Sequence, residues 1–118
     1  MRLIIAGSRN IDICYEDMYE YMPSDWEGLE LVSGMAKGPD WEAVRLAGVH
    51  NLPCHMFPAD WDKHGKAAGI IRNKQMGDFA DELLAFWDGK SRGTKHMIDY
   101  MTSLGKPVKV IEIGKTTI

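Results

Sequence analysis

At 118 residues the chain has the length of one domain, and 45% apolar with 26% charged residues is ordinary globular composition. Fourteen Lys and Arg against seventeen Asp and Glu leave a net charge of −3, which excludes the overall basic field of a duplex-DNA binder. No apolar run approaches the roughly 20 residues of a membrane span, and the N-terminus opens into a strand pattern instead of a signal-peptide layout.

The two cysteines, Cys14 and Cys54, have no metal-type spacing and form no disulfide framework. A soluble protein of the reducing cytosol is therefore expected, with Cys54 a buried thiol in its apolar run.

Arg2 to Ala6 is a short, continuously apolar run stopped by Gly7, which predicts a buried parallel strand. Residues 14–22 predict a helix with Tyr15, Met18, Tyr19 and Met22 on one face, ended by Pro23. Leu29 to Val32 is the second strand, and Pro39 is placed to open a helix that runs to about Gly48. Pro53 to Phe57 reads as a third strand and Pro58 to Trp61 as an irregular loop. A helix over 66–79, a strand over 82–87, a helix over 94–104 and a strand over 108–113 follow, with a frayed tail at 114–118. Strand and helix alternate through the chain with short connections and without repeats or linkers. The predicted fold is a single α/β domain: an open, mainly parallel five-stranded sheet with helices on both faces.

Such sheets bind ligands beyond the carboxyl ends of their strands. Three strand-to-helix junctions have the composition for it: Gly7-Ser8-Arg9, Ser33 through Asp40, and Asp88 through Thr94. Their small residues permit close approach to the backbone, and helix N-termini favour anions. Arg9, Lys37, Lys90 and Arg92 add positive charge, so phosphate is the expected anion. There is no Walker-A loop and no dinucleotide glycine spacing.

Five stretches together resemble the SLOG superfamily, the Rossmann-like group that holds the Lonely Guy nucleotide hydrolases and the DNA-processing protein DprA. They are GSR at 7–9, VSGMAKGPDWEAVRLA at 32–47, FPADW at 57–61, GKAAGIIRN at 65–73 and AFWDGKSRGTKHMI at 85–98. The chain is most similar to the small YspA/YpsA-related branch of bacteria and phages, and the resemblance spans nearly its whole length. It implies a pocket for a nucleotide or nucleotide derivative, self-association, and a place for Arg72 near a scissile glycosidic bond. It also implies that Ser91-Arg92-Gly93-Thr94 matches a phosphate-binding loop. One departure stands out: where the Lonely Guy enzymes carry a glutamate three residues after that threonine, this chain has Met97, preceded by His96. A thioether moves no proton, so hydrolysis by the same machinery is not expected.

Gly7, Ser8, Arg9, Ser33, Gly34, Gly38, Arg72, Asn73, Ser91, Gly93 and Thr94 are the expected ligand contacts, with Asp60 and Trp61 beside them. Among the tryptophans, Trp61 is a better stacking candidate than Trp41 or than Trp87, which is read as packing. Met18, Met22, Met97 and Met101 are read as core residues. Asp40 suits a helix cap as well as a site, and Asp60 suits a turn. The four histidines lack metal-ligand spacing, and neither metal nor cofactor is expected. Three functions remain open: a sensor or sequestering module for a nucleotide-derived molecule; a hydrolase of an N-glycosidic or phosphate bond using Asp40, Asp60 or His96; and DprA-like binding of single-stranded DNA, which the acidic charge disfavours.

Overall fold

In the computed structural model, which describes residues 1–113, five strands form one all-parallel sheet in the order β3-β2-β1-β4-β5. They are β1 (Arg2–Gly7), β2 (Glu30–Ser33), β3 (Cys54–Met56), β4 (Glu82–Trp87) and β5 (Val108–Glu112). The helices are α1 (Pro39–Val49), the short α2 (Trp61–His64), α3 (Ala68–Phe79) and α4 (Arg92–Ser103). The tail expected to fray lies outside the described residues.

Central position explains the composition of β1. It pairs β2 through Leu3 with Leu31 and β4 through Ile5 with Leu84, and Leu3 to Ala6 are all buried. Alternation along the strands divides the core. Leu3, Ile5, Leu31, Leu84 and Phe86 face α1 through Ala43, Leu46 and Ala47. Ile4, Ala6, Val32, Leu83 and Ala85 pack instead with Met76 of α3 and with Met97 and Met101 of α4. Helices therefore cover both faces. Met18, Met22, Met97 and Met101 are all buried, as packing residues should be.

Three local expectations change. The helix expected over 14–22 is a 3₁₀ helix, Tyr15–Tyr21, opened by Asp17 Oδ2 accepting from Cys14 N at 3.1 Å and by Asp17 N donating to the Cys14 carbonyl at 2.9 Å. Three residues per turn align Tyr15, Met18 and Tyr21. Tyr21 consequently packs edge-on to Phe86 with ring centroids 5.8 Å apart, while Tyr19 turns outward. Trp61 begins α2 instead of closing a loop, because Asp60 Oδ1 caps that helix by accepting from Lys63 N at 3.1 Å. The helix expected from residue 66 starts as a 3₁₀ turn, Gly65–Ala67, before α3. Cys54 is only half-buried, since β3 is a short edge strand.

Among the described residues, no helix is long and apolar enough to cross a membrane.

Candidate functional site

The strand order reverses direction between β1 and β4, and the chain leaves the two strands toward opposite faces. At their carboxyl ends this opens a cleft of ≈ 460 Å³, a volume suited to a small-molecule ligand.

Its walls are built from all three expected junctions. β1 ends at Gly7, and a Cβ there would lie 2.5 Å from Pro39 Cγ and 2.7 Å from the Phe86 carbonyl oxygen. Only glycine lets the first turn of α1 close over the strand end. Pro39 opens α1 as expected, and Asp40 follows, 4% exposed, with Oδ1 accepting from Gly7 N at 3.1 Å. Burial raises the Asp40 pKa from 3.8 to about 6, against the opposing pull of Arg72 and of backbone donors at Gly7, Ala36 and Asp40 itself.

Arg72 reaches across from α3. Its Nη1 donates to the Gly34 carbonyl at 2.5 Å and its Nε to Asn73 Oδ1 at 3.1 Å. A Cβ on Gly34 would sit 2.6 Å from Arg72 Nη1 and 2.9 Å from Asp40 Oδ2, so glycine is what admits both side chains. Desolvation lowers the Arg72 pKa and nearby Arg9 lowers it further, while Asp40 opposes the shift. Among the described residues Arg72 has no carboxylate within ion-pair distance. Its guanidinium is therefore oriented by neutral oxygens, with the Asp40 carboxyl close enough to attract it without a direct ion pair.

The third wall is the loop from β4 into α4. Asp88 Oδ1 accepts from Lys90 N and Ser91 N at 2.8 and 2.7 Å, and these bonds hold its carboxyl below the usual range. Asp88 N in turn donates to Ser8 Oγ at 3.2 Å, and Ser8 Oγ lies 3.5 Å from Thr94 Oγ1. Trp87 braces the same loop from the strand end, donating Nε1 to the Ser91 carbonyl at 3.1 Å. Ser91, Gly93 and Thr94 face the cleft at the start of α4, where a helix leaves its first N–H groups without intrahelical partners.

Asn73 ties α3 to this loop. Its Nδ2 donates to the Gly93 carbonyl and to His96 Nδ1, both at 3.2 Å. The accepting Nδ1 must be unprotonated, in keeping with a His96 pKa lowered by burial and by Lys74.

Gly7, Arg9, Asp40, Trp61, Arg72, Asn73, Ser91, Gly93 and Thr94 thus meet in one cleft. Ser8, Ser33 and Gly34 stand behind its wall: Ser33 Oγ bonds the Asp40 carbonyl at 2.7 Å, and Met35 N donates to Ser33 Oγ at 3.1 Å. Gly38 faces a neighbouring hollow, Asp60 is an exposed helix cap, and His96 stays on the far side of Asn73. The sequence reading missed Ala6, Asn10, Ala36, Lys66, Gly69, Ile70 and Met97 as lining residues. Lys66 carried a signal, a cation between glycine and the α3 start; Met97 carried none, because a buried methionine on a helix reads as core. Three cations, Arg9, Lys66 and Arg72, face the one carboxylate of Asp40, so the cleft is net positive in an acidic protein. Among the described residues no three His, Cys, Asp or Glu side chains are grouped to hold a metal ion.

Strand order, glycine-lined strand ends and a cleft at the reversal define a Rossmann-like α/β domain with its ligand-sized opening at the switch point. The chain is 35% identical over 116 residues to the Gene 61 protein of Mycobacterium phage D29, covering 91% of this chain and 93% of that one. It belongs to the family of that phage protein. No protein-family model and no solved structure matches the chain.

Proposed function

We propose that the chain binds a phosphate-bearing, nucleotide-derived small molecule in the switch-point cleft and acts as a sensor or sequestering protein. The observation that carries this reading is Arg72. Its guanidinium is half-buried, oriented by Gly34 and Asn73, and free of any direct carboxylate partner among the described residues. Such a group offers a charge-assisted, fork-like contact to a phosphate. Across the cleft the Ser91–Thr94 turn supplies hydroxyls and a helix start, the other half of a phosphate cradle. The resemblance to the SLOG superfamily points the same way, and a phage relative suits a protein that withdraws a host nucleotide signal in the cytosol.

The test is incubation with a panel of nucleotides, cyclic nucleotides and ADP-ribose derivatives, with bound and free pools read by mass spectrometry. A ligand recovered unchanged, and lost on Arg72→Ala, supports binding. Silence across the panel defeats the reading.

A second reading, hydrolysis of a bond in the same ligand, is favoured by one feature. Asp40 presents a buried carboxyl with a pKa of about 6 to the cleft, a value suited to general acid–base work near neutrality. Met97 stands against it, as does the placement of Asp60 and His96 away from the cleft lining. Release of free base or ribose phosphate that Asp40→Asn abolishes would establish the enzyme.

A further inference from the structure

The switch-point cleft has a neighbour. A second hollow of ≈ 500 Å³ lies between the loop after β1 and the outer surface of α1, and Arg9 and Asn10 line both. Gly38 makes the shared wall thin. It adopts φ 93°, and a Cβ on it would come 3.2 Å from the Ser8 carbonyl and 3.4 Å from that of Arg9, so the two loops touch there.

The second hollow is composed as a binding surface and not as a packing defect. Lys37 and Trp41 line it, and Trp41 is 51% exposed, which no core or cap role in the fold explains. Arg45 is engaged with Glu42 at 3.2 Å, whereas Arg9 and Lys37 have no ion-pair partner among the described residues. Trp61, equally exposed at 51%, lines the first cleft. Each hollow thus carries one solvent-facing indole; of the unpaired cations, Arg9 stands where the hollows meet and Lys37 lines the second. Either hollow alone has the volume for one nucleoside-sized group.

We infer that the two hollows form one bipartite site for a dinucleotide: two nucleosides joined through phosphates. The bridging phosphates lie on Arg9 and Lys37, and a base stacks on each of Trp61 and Trp41. This inference rests on the nucleotide reading of the switch-point cleft and extends it to the class of ligand. A mononucleotide would leave Trp41 and Lys37 without a role. The net charge of −3 argues for a short ligand held by a local cationic wall over a long polyanion.

Calorimetric titration with adenosine monophosphate, diadenosine diphosphate, the guanosine counterparts and a short oligothymidylate tests it, on wild-type, Trp41→Ala, Lys37→Ala and Arg72→Ala protein. The expected result is a dinucleotide bound at least about tenfold more tightly than its mononucleotide. Trp41→Ala and Lys37→Ala should each bring that ratio toward one, and Arg72→Ala should weaken both ligands. Trp41 and Lys37 are exposed, so their replacement leaves the core intact. Equal affinity for mono- and dinucleotide, or a ratio untouched by Trp41→Ala, overturns the bipartite site while leaving the single-cleft reading standing. No binding of either overturns both. Affinity that climbs further with oligothymidylate would make single-stranded nucleic acid the ligand and overturn the inference.

Discussion

Replacing Asp40 by Asn isolates the cost of a buried carboxylate at the mouth of the cleft. In the folded chain its pKa rises from 3.8 to about 6, because burial disfavours the charged form more than Arg72 and the backbone donors favour it. The folded state therefore holds the proton more tightly than the unfolded state. The stabilising contribution is complete below pH 3.8 and is lost as pH rises through about 6. Each pKa unit is worth about 1.36 kcal/mol, so the loss amounts to about 3 kcal/mol, a large share of a small domain's stability. Asparagine has the same shape, its oxygen still accepts from Gly7 N, and it does not titrate. Urea unfolding followed by tryptophan fluorescence from about pH 4 to about pH 8 should give a wild-type minus variant difference that falls by most of that amount across the window. Glu30 and Asp88, whose pKa values are lowered, contribute with the opposite sign but equally in both proteins, so they cancel in the difference. The attraction of Arg72 acts only on the ionised carboxyl and is already contained in the value of about 6, so it needs no separate allowance. A difference that stays flat over the window would refute the account of Asp40.

Gly7→Ala should destabilise by about 1–3 kcal/mol, since the added methyl meets the Pro39 ring and a backbone carbonyl, neither of which can swing away; chemical denaturation reads it directly. Gly34→Ala should behave differently. Its Cβ meets the movable end of Arg72 and, at 2.9 Å, the buried Asp40 Oδ2, so the guanidinium is displaced at some cost in stability, and ligand-induced thermal stabilisation should drop as it does for Arg72→Ala. Ser8→Ala should cost about 1–2 kcal/mol, because the buried hydroxyl accepts from Asp88 N and no other residue replaces it; equal unfolding midpoints for variant and wild type would count against that role.

The alternation of strands and helices, the parallel sheet and the three junctions that line the cleft are legible in the chain itself, because their signals are local. A β-branched run closed by Gly7, Pro39 at a helix start and Gly105 after a helix each act within one turn of chain. The 3₁₀ geometry of Tyr15–Tyr21 was not legible, since period three and period 3.6 share most positions over seven residues.

Tertiary structure decided which residues meet. The order β3-β2-β1-β4-β5 places the Gly7 and Trp87 ends side by side, and no local pattern encodes that order. Helix geometry then separates neighbours in sequence. Asp40 turns into the switch-point cleft and Trp41 into the hollow beside it, because successive helical side chains point about 100° apart. The same rotation brings Met97 to the cleft and leaves His96 behind Asn73. Residue types and their spacing chose the chemistry available at the rim. The long-range packing of α1, α3 and α4 on opposite faces of the sheet chose which of those groups share a solvent space.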